Sequence, residues 1–253
     1  MKIAIAQYSP EWEKPEENIN KINSLLEGFE EGTDLLIFPE MTLTGFTMRS
    51  EKFAEEIDGI ATKFFIELSA KLKTHIFAGI IEKDGKNIFN SLVHFNNQGL
   101  ITARYRKIHP FSYSKEDKYY SKGNEIVTTI IDKTVFGLSV CYDLRFPELY
   151  RLYAKEGAEI LVNIANWPVP RIEHWKTLLK ANAIFNQAFM IGVNRTGDDP
   201  FNNYNGSSAL FNPLGENLLT LNSSEILQTI SIHPEEVKTT RDKFPFLNDM
   251  RLL

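Results

Sequence analysis

The sequence has one cysteine, Cys141, in 253 residues. No intramolecular disulfide can form, and a core of this size needs no such staple. A single thiol fits a reducing compartment. No apolar run approaches the roughly 18 residues that a membrane span requires. There is no excess of positive charge. The formal net charge of -5 argues against a nucleic-acid partner or an anionic membrane surface. The opening stretch, Met1-Lys2-Ile3-Ala4-Ile5-Ala6-Gln7, is too short and too strand-like for a signal peptide, so a cytoplasmic protein is expected. Linkers, repeats and low-complexity tracts are also missing. The five histidines, His75, His94, His109, His174 and His233, show no metal-ligand spacing. Neither a metal nor another cofactor is therefore expected.

What is present is an ordinary globular balance, 43% hydrophobic and 24% charged. Apolar strand-like runs alternate with helical periods. Ile3 to Gln7 reads as a strand, and Ile19, Ile22, Leu25, Leu26 and Phe29 recur at helical spacing. Leu35 to Phe38 is a short buried run ended by Pro39. A helix through Phe64, Phe65, Leu68 and Leu72 follows, then strands at 75–81, 91–95 and 100–105. The runs 126–131 and 135–140 form a hairpin turning at Asp132-Lys133. Helices over 147–155 and 172–187 alternate with strands at 160–164, 190–194, 208–212 and 226–232. This order predicts an α/β protein with mixed sheets and helices on their outer faces. We read residues 1–232 as one domain and 233–253, more polar, as a C-terminal arm.

Three residues share a position. Glu40, Lys107 and Cys141 each follow the carboxyl end of an expected strand, the edge where α/β sheets bind ligands. Cys141 precedes a tight turn and a helix, the layout of a nucleophile elbow. A thiol attacking a carbonyl needs a base for its proton, and a carboxylate serves. A lysine ammonium, with the backbone N–H of Tyr142, can hold the resulting oxyanion. Glu116, in the loop after Lys107, is the candidate for a second acid that keeps the lysine charged. Taken singly, each residue has a plainer reading. A lone cysteine is usually a small buried hydrophobe, a lysine after a strand a solvated charge, and a glutamate after proline a helix-start residue.

The local strings narrow this choice. Phe38-Pro39-Glu40-Met41, Tyr105-Arg106-Lys107-Ile108-His109 and Cys141-Tyr142-Asp143-Leu144-Arg145-Phe146-Pro147-Glu148 resemble, in order, the three signature blocks of the nitrilase, or carbon-nitrogen hydrolase, superfamily. The resemblance covers about residues 1–232. It implies a four-layer αββα sandwich, no metal, and a thioester intermediate. It also implies Glu40 as general base, Lys107 as oxyanion stabiliser, Cys141 as nucleophile and Glu116 as orienting acid. A homodimer is implied as well, with the C-terminal arm at its interface. The apolar cluster Phe244-Pro245-Phe246-Leu247 gives that arm something to dock.

A narrower resemblance is to the bacterial ω-amidase branch. It rests on Thr44-Gly45-Phe46-Thr47-Met48, on Ala165-Asn166-Trp167-Pro168-Val169-Pro170-Arg171 with His174-Trp175, and on Arg241-Asp242-Lys243-Phe244-Pro245. It implies hydrolysis of the terminal amide of 2-oxo dicarboxylic acid monoamides such as 2-oxoglutaramate and 2-oxosuccinamate. Arg145, Tyr142, Trp167, Phe46 and Asn166 are then the substrate-binding candidates. Arg145 is either a carboxylate clamp or an ion-pair partner of Asp143 or Glu148, and Arg195 is a second clamp candidate. N-carbamoyl amino acid or nitrile hydrolysis is the alternative within the class, and a catalytically silent binding scaffold the alternative outside it.

Overall fold

The computed structural model describes residues 1–252. The chain begins with β1 (Lys2–Gln7), α1 (Pro15–Leu25), β2 (Leu35–Ile37), the single turn α2 (Ser50–Phe53) and α3 (Ile60–Leu72). A meander follows: β3 (His75–Asp84), β4 (Asn87–Phe95) and β5 (Ile101–Arg106). After a loop come β6 (Thr128–Ile131), β7 (Thr134–Val140), α4 (Pro147–Lys155), β8 (Ile160–Ala165), α5 (Ile172–Asn186) and β9 (Phe189–Asn194). The last elements are β10 (Thr196–Asp198), β11 (Asn203–Asn205), β12 (Ala209–Phe211), β13 (Asn217–Thr220), β14 (Ile226–Ser231) and α6 (Glu235–Lys243).

Two six-stranded sheets result, ordered β14-β1-β2-β3-β4-β5 and β13-β12-β9-β8-β7-β6. Each has three parallel strands, β1-β2-β3 in one and β7-β8-β9 in the other, flanked by antiparallel ones. Side-chain alternation builds the layers. Ile3, Ile5, Phe77, Leu92, Phe136, Leu138, Val162 and Ile191 point between the sheets and form one core. Ala4, Ala6, Leu36 and Ala78 point outward beneath α1 and α3, where Ile22, Phe65 and Leu68 cover them. Leu161, Ala165 and Met190 lie beneath Tyr150 and Tyr153 of α4 and Trp175 and Leu179 of α5. The order of layers is helix, sheet, sheet, helix, the expected αββα sandwich.

The expected elements correspond closely, with physical reasons for the differences. The first helix ends at Leu25 rather than Phe29, because Gly28 turns at φ 86° and Phe29 reaches the core from outside the helix. The 132–133 turn has both residues at positive φ, 46° and 74°, as a two-residue hairpin requires. The polar stretch after 233 contains α6. Its Val237 is buried in the intersheet core, and its Arg241 guanidinium donates to the carbonyls of Ala158, Asn186 and Gln187. That side chain caps the C-terminus of α5, where carbonyls otherwise lack partners.

Candidate active site

Glu40, Lys107 and Cys141 come from the two sheets and meet at one edge. β2 runs parallel to β1 and β3, β5 runs the same way as β3 because both lie antiparallel to β4, and β7 runs parallel to β8, so all three residues follow the carboxyl end of a strand. Pro39 ends the β2 ladder because it has no N–H to give. The chain then turns through Met41 at φ 46°. Lys107 leaves β5 with its backbone N–H on the Asn90 carbonyl, 2.9 Å. Cys141 stands at φ 48°, a conformation costly for a side-chain-bearing residue, where β7 passes into a 3₁₀ turn. Such strain at a nucleophile exposes its side chain above the turn.

The buried charges form a closed set. Lys107 Nζ lies 2.9 Å from Glu40 Oε1 and 2.9 Å from Glu116 Oε2. Asn90 Nδ2 donates to both acids, at 2.7 Å to Glu40 Oε1 and 2.9 Å to Glu116 Oε1. The N–H of Asn166 donates to Glu40 Oε2 at 2.8 Å, and that of Phe111 to Glu116 Oε2 at 2.6 Å. All three charged side chains are at most 1% exposed. Bare burial of such charges would be prohibitive, and their mutual pairing is what makes it tolerable.

Burial alone would neutralise Lys107, but the Glu116 and Glu40 carboxylates hold its ammonium well above the usual range. Burial would also raise Glu40. The Lys107 charge and the hydrogen bonds from Lys107, Asn90 and Asn166 outweigh it, so Glu40 stays below the ordinary carboxylate range. Glu116 moves upward, by burial and then by the Glu40 charge. The Cys141 thiol is pushed well up by burial and by Glu40, within hydrogen-bonding reach. The resting site is therefore thiol beside carboxylate, with a fixed ammonium. This is the protonation pattern general-base attack requires.

A second network holds the Cys141 turn. Asp143, fully buried, accepts from Tyr105 Oη at 2.7 Å, from the N–H of His109 at 3.0 Å and from that of Val140 at 2.9 Å. His109 Nδ1 sits 2.8 Å from Oδ1, the oxygen that also takes its backbone N–H, and the imidazole stacks on Phe146. Asp143 thus joins the end of β5 to the end of β7. It leaves Arg145 without the ion pair that was one of its two sequence readings. Arg145 instead places its guanidinium 4.8 Å over the Trp167 ring and 3.2 Å from His174 Nδ1.

One cleft, enclosing about 150 Å³, opens above Cys141. Phe46, Tyr142, Arg145, Asn166 and Trp167, the five expected binding residues, all line it. Asn166 also has a supporting task, since its side-chain amide donates to the Glu40 backbone carbonyl at 2.8 Å. Arg195 is absent from the cleft. It is fully buried, stacked on Tyr204, and donates to the carbonyls of Thr196 and Asp198. The sequence reading missed Asn90. Its only signal was a polar side chain inside the buried run of β4. His75 and His94, which have no metal-ligand spacing in the sequence, meet in space with His75 Nδ1 2.8 Å from His94 Nε2.

The carbon-nitrogen hydrolase profile matches residues 2–242. The chain belongs to the carbon-nitrogen hydrolase family. This carbon-nitrogen hydrolase is 33% identical over 252 residues to a 2-oxoglutaramate amidase of Bacillus subtilis (strain 168), covering 98% of this chain and 97% of that one. It is 30% identical to the omega-amidase YafV of Escherichia coli (strain K12), covering 98% and 96%. Among solved structures, XC1258 from Xanthomonas campestris, a CN-hydrolase superfamily protein with an arsenic adduct in its active site, superposes with a TM-score of 0.95 at 30% identity, over 100% of this chain and 98% of that one. No described helix is long and apolar enough to cross a membrane.

Proposed function

We propose that this carbon-nitrogen hydrolase is an ω-amidase. It releases ammonia from the terminal amide of a 2-oxo dicarboxylic acid monoamide, with 2-oxoglutaramate and 2-oxosuccinamate as substrates. The observation that carries the chemistry is the buried Glu40–Lys107–Glu116 set beside Cys141. The substrate class is supported by the similarity to enzymes named for that activity and by Arg145 in the cleft wall.

In this reading Glu40 takes the thiol proton as sulfur attacks the amide carbon. The oxygen becomes an oxyanion, held by the Lys107 ammonium and the N–H of Tyr142. Glu40 then gives the proton to the departing nitrogen, so ammonia leaves and a thioester remains. Water enters, Glu40 takes its proton, and the hydroxide attacks the thioester. Cleavage of the carbon–sulfur bond returns the proton to the thiol and releases the second carboxyl group as an acid, which gives its own proton to solvent. Glu116 and Asn90 keep Lys107 and Glu40 in register.

A panel of 2-oxo acid amides, neutral amides, N-carbamoyl amino acids and nitriles, read by ammonia release, tests the assignment. The 2-oxo acid amides should give the highest kcat/KM. Preference for a carbamoyl compound or a nitrile would replace this reading. We further assign the protein to the cytoplasm, where a catalytic thiol stays reduced, and to a homodimer. Exposed Leu152, Ile184 and Phe185 on α4 and α5 are the apolar surface that supports the dimer. Light scattering at micromolar concentration giving only a ~29 kDa species would exclude it.

A further inference from the structure

The cleft above Cys141 has two guanidinium groups in its wall, and only Arg145 has a place in the function proposed above. The other, Arg171, sits just before α5 with its guanidinium 5.4 Å from the Phe111 ring. Neither arginine has a carboxylate in ion-pair range among the described residues. Glu173, two residues from Arg171, is paired with Lys176 instead. The two charges sense one another, since Arg145 is shifted down by burial and then by the Arg171 charge. No aspartate or glutamate lines the cleft. Asp199, beside the lining residue Asn202, is already held by Tyr204 Oη at 2.6 Å and by the N–H groups of Phe201 and Asn202 at 2.8 Å. Glu40 and Glu116 are committed to Lys107.

We propose that Arg171 is a specificity-determining residue that, with Arg145, selects a 2-oxo acid amide over the corresponding 2-amino acid amide. The proposal rests on the ω-amidase reading and extends it. A substrate held with its amide over Cys141 places the carbon bearing its carboxylate near the two guanidinium groups. On a 2-oxo acid that carbon carries an acceptor oxygen, which guanidinium N–H groups can satisfy alongside the carboxylate. On an amino acid it carries an ammonium. Two cations would face that group with no carboxylate to accept it, a repulsive arrangement that discriminates more sharply than lost attraction. The ring faces of Trp167 and Phe111 keep both guanidinium planes in the wall without neutralising them.

The test compares wild type with Arg171→Met and Arg171→Gln on 2-oxoglutaramate and glutamine. It also compares alkylation of Cys141 by iodoacetate with alkylation by iodoacetamide, followed by mass spectrometry. Arg171→Met should lower the oxo-to-amino ratio of kcat/KM by about tenfold or more, mainly through KM for the oxo acid. It should lower the iodoacetate-to-iodoacetamide rate ratio by about threefold or more, because one attracting charge is gone. Arg171→Gln, with a polar side chain and no charge, should shift both ratios in the same direction. Equal losses on both substrates with both ratios unchanged would mean that Arg171 only supports the fold. A wild type inert toward 2-oxoglutaramate but active on neutral amides would overturn the substrate reading and the selectivity claim together. Intact wild-type selectivity with unchanged ratios in both variants would overturn the role of Arg171 alone.

Discussion

Gly79 of β3 lies directly beneath the turn that carries Glu40. A Cβ added there would stand 2.8 Å from the Glu40 carbonyl carbon and 2.4 Å from the Met41 nitrogen, both backbone atoms. Nothing flexible can yield, so Gly79→Ala must move the Glu40 turn. A general base displaced by even an ångström costs about 10²-fold in rate. We expect kcat to fall by about that much with KM little changed, and stability to drop by about 1–3 kcal/mol. Kinetics showing full activity in a folded Gly79→Ala would mean that the position of the turn does not set the rate.

Removing the nucleophile gives the most direct check on the mechanism. Cys141→Ala should reduce turnover to background while the fold persists, because the change removes a single sulfur atom from a residue that lines the cleft. Cys141→Ser should fail too, since a hydroxyl needs a stronger base than Glu40. Mass spectrometry of wild type quenched during turnover should show an acyl adduct on Cys141. Substantial turnover by Cys141→Ala would exclude the thioester route.

The sequence made the sheet edge legible, because Glu40, Lys107 and Cys141 each end a strand and sit in recognisable strings. It also placed the hairpin at Asp132-Lys133 and the helix 147–155, where local chemistry decides the backbone. What it concealed depends on distance in space. Asn90 looks like any polar residue in a strand until β4 lies beside β5 and the Glu116 loop folds over it. Asp143 was, with Glu148, one of the partners open to Arg145 if that residue were not a substrate clamp, yet it binds His109, 34 residues earlier in the chain. Helix α6 was hidden by its polarity, since Val237 is its single buried residue.

The two acids should separate in kinetics. Glu40 is the proton carrier in the proposed mechanism, so Glu40→Gln should cost about 10³-fold or more in kcat. Glu116 contacts Lys107 and Asn90 rather than the thiol, and Glu116→Gln should cost about 10–10²-fold. Lys107→Arg should be nearly as damaging as Lys107→Ala, because the planar guanidinium cannot reproduce a point charge shared by two carboxylates. Lys107→Ala also strands two buried acids and should destabilise by about 3–5 kcal/mol. A larger loss for Glu116→Gln than for Glu40→Gln would exchange their roles.

Acid stability should report a group far from the chemistry. His94, fully buried on β4, places Nδ1 2.7 Å from Thr129 Oγ1 of the opposite sheet and Nε2 2.8 Å from His75 Nδ1. The Phe77 ring stands nearly perpendicular to its own, with centroids 4.9 Å apart. Burial, then the His75 charge, lowers its pKa from 6.5 to about 3. In the unfolded chain the same imidazole takes a proton near 6.5. Between those values the unfolded state holds more protons, so the contribution of neutral His94 is complete above about pH 6.5 and is lost as pH falls toward 3. The loss should reach several kcal/mol over that window. His75 is also shifted down, by burial, despite Asp132 and Asp34 nearby, and steepens the same slope. His94→Gln can still hydrogen bond but does not titrate. It should be less stable than wild type at pH 7.5, yet lose less between pH 6.5 and 4.5. Thermal melts giving parallel pH slopes for the two proteins would show that acid lability arises elsewhere.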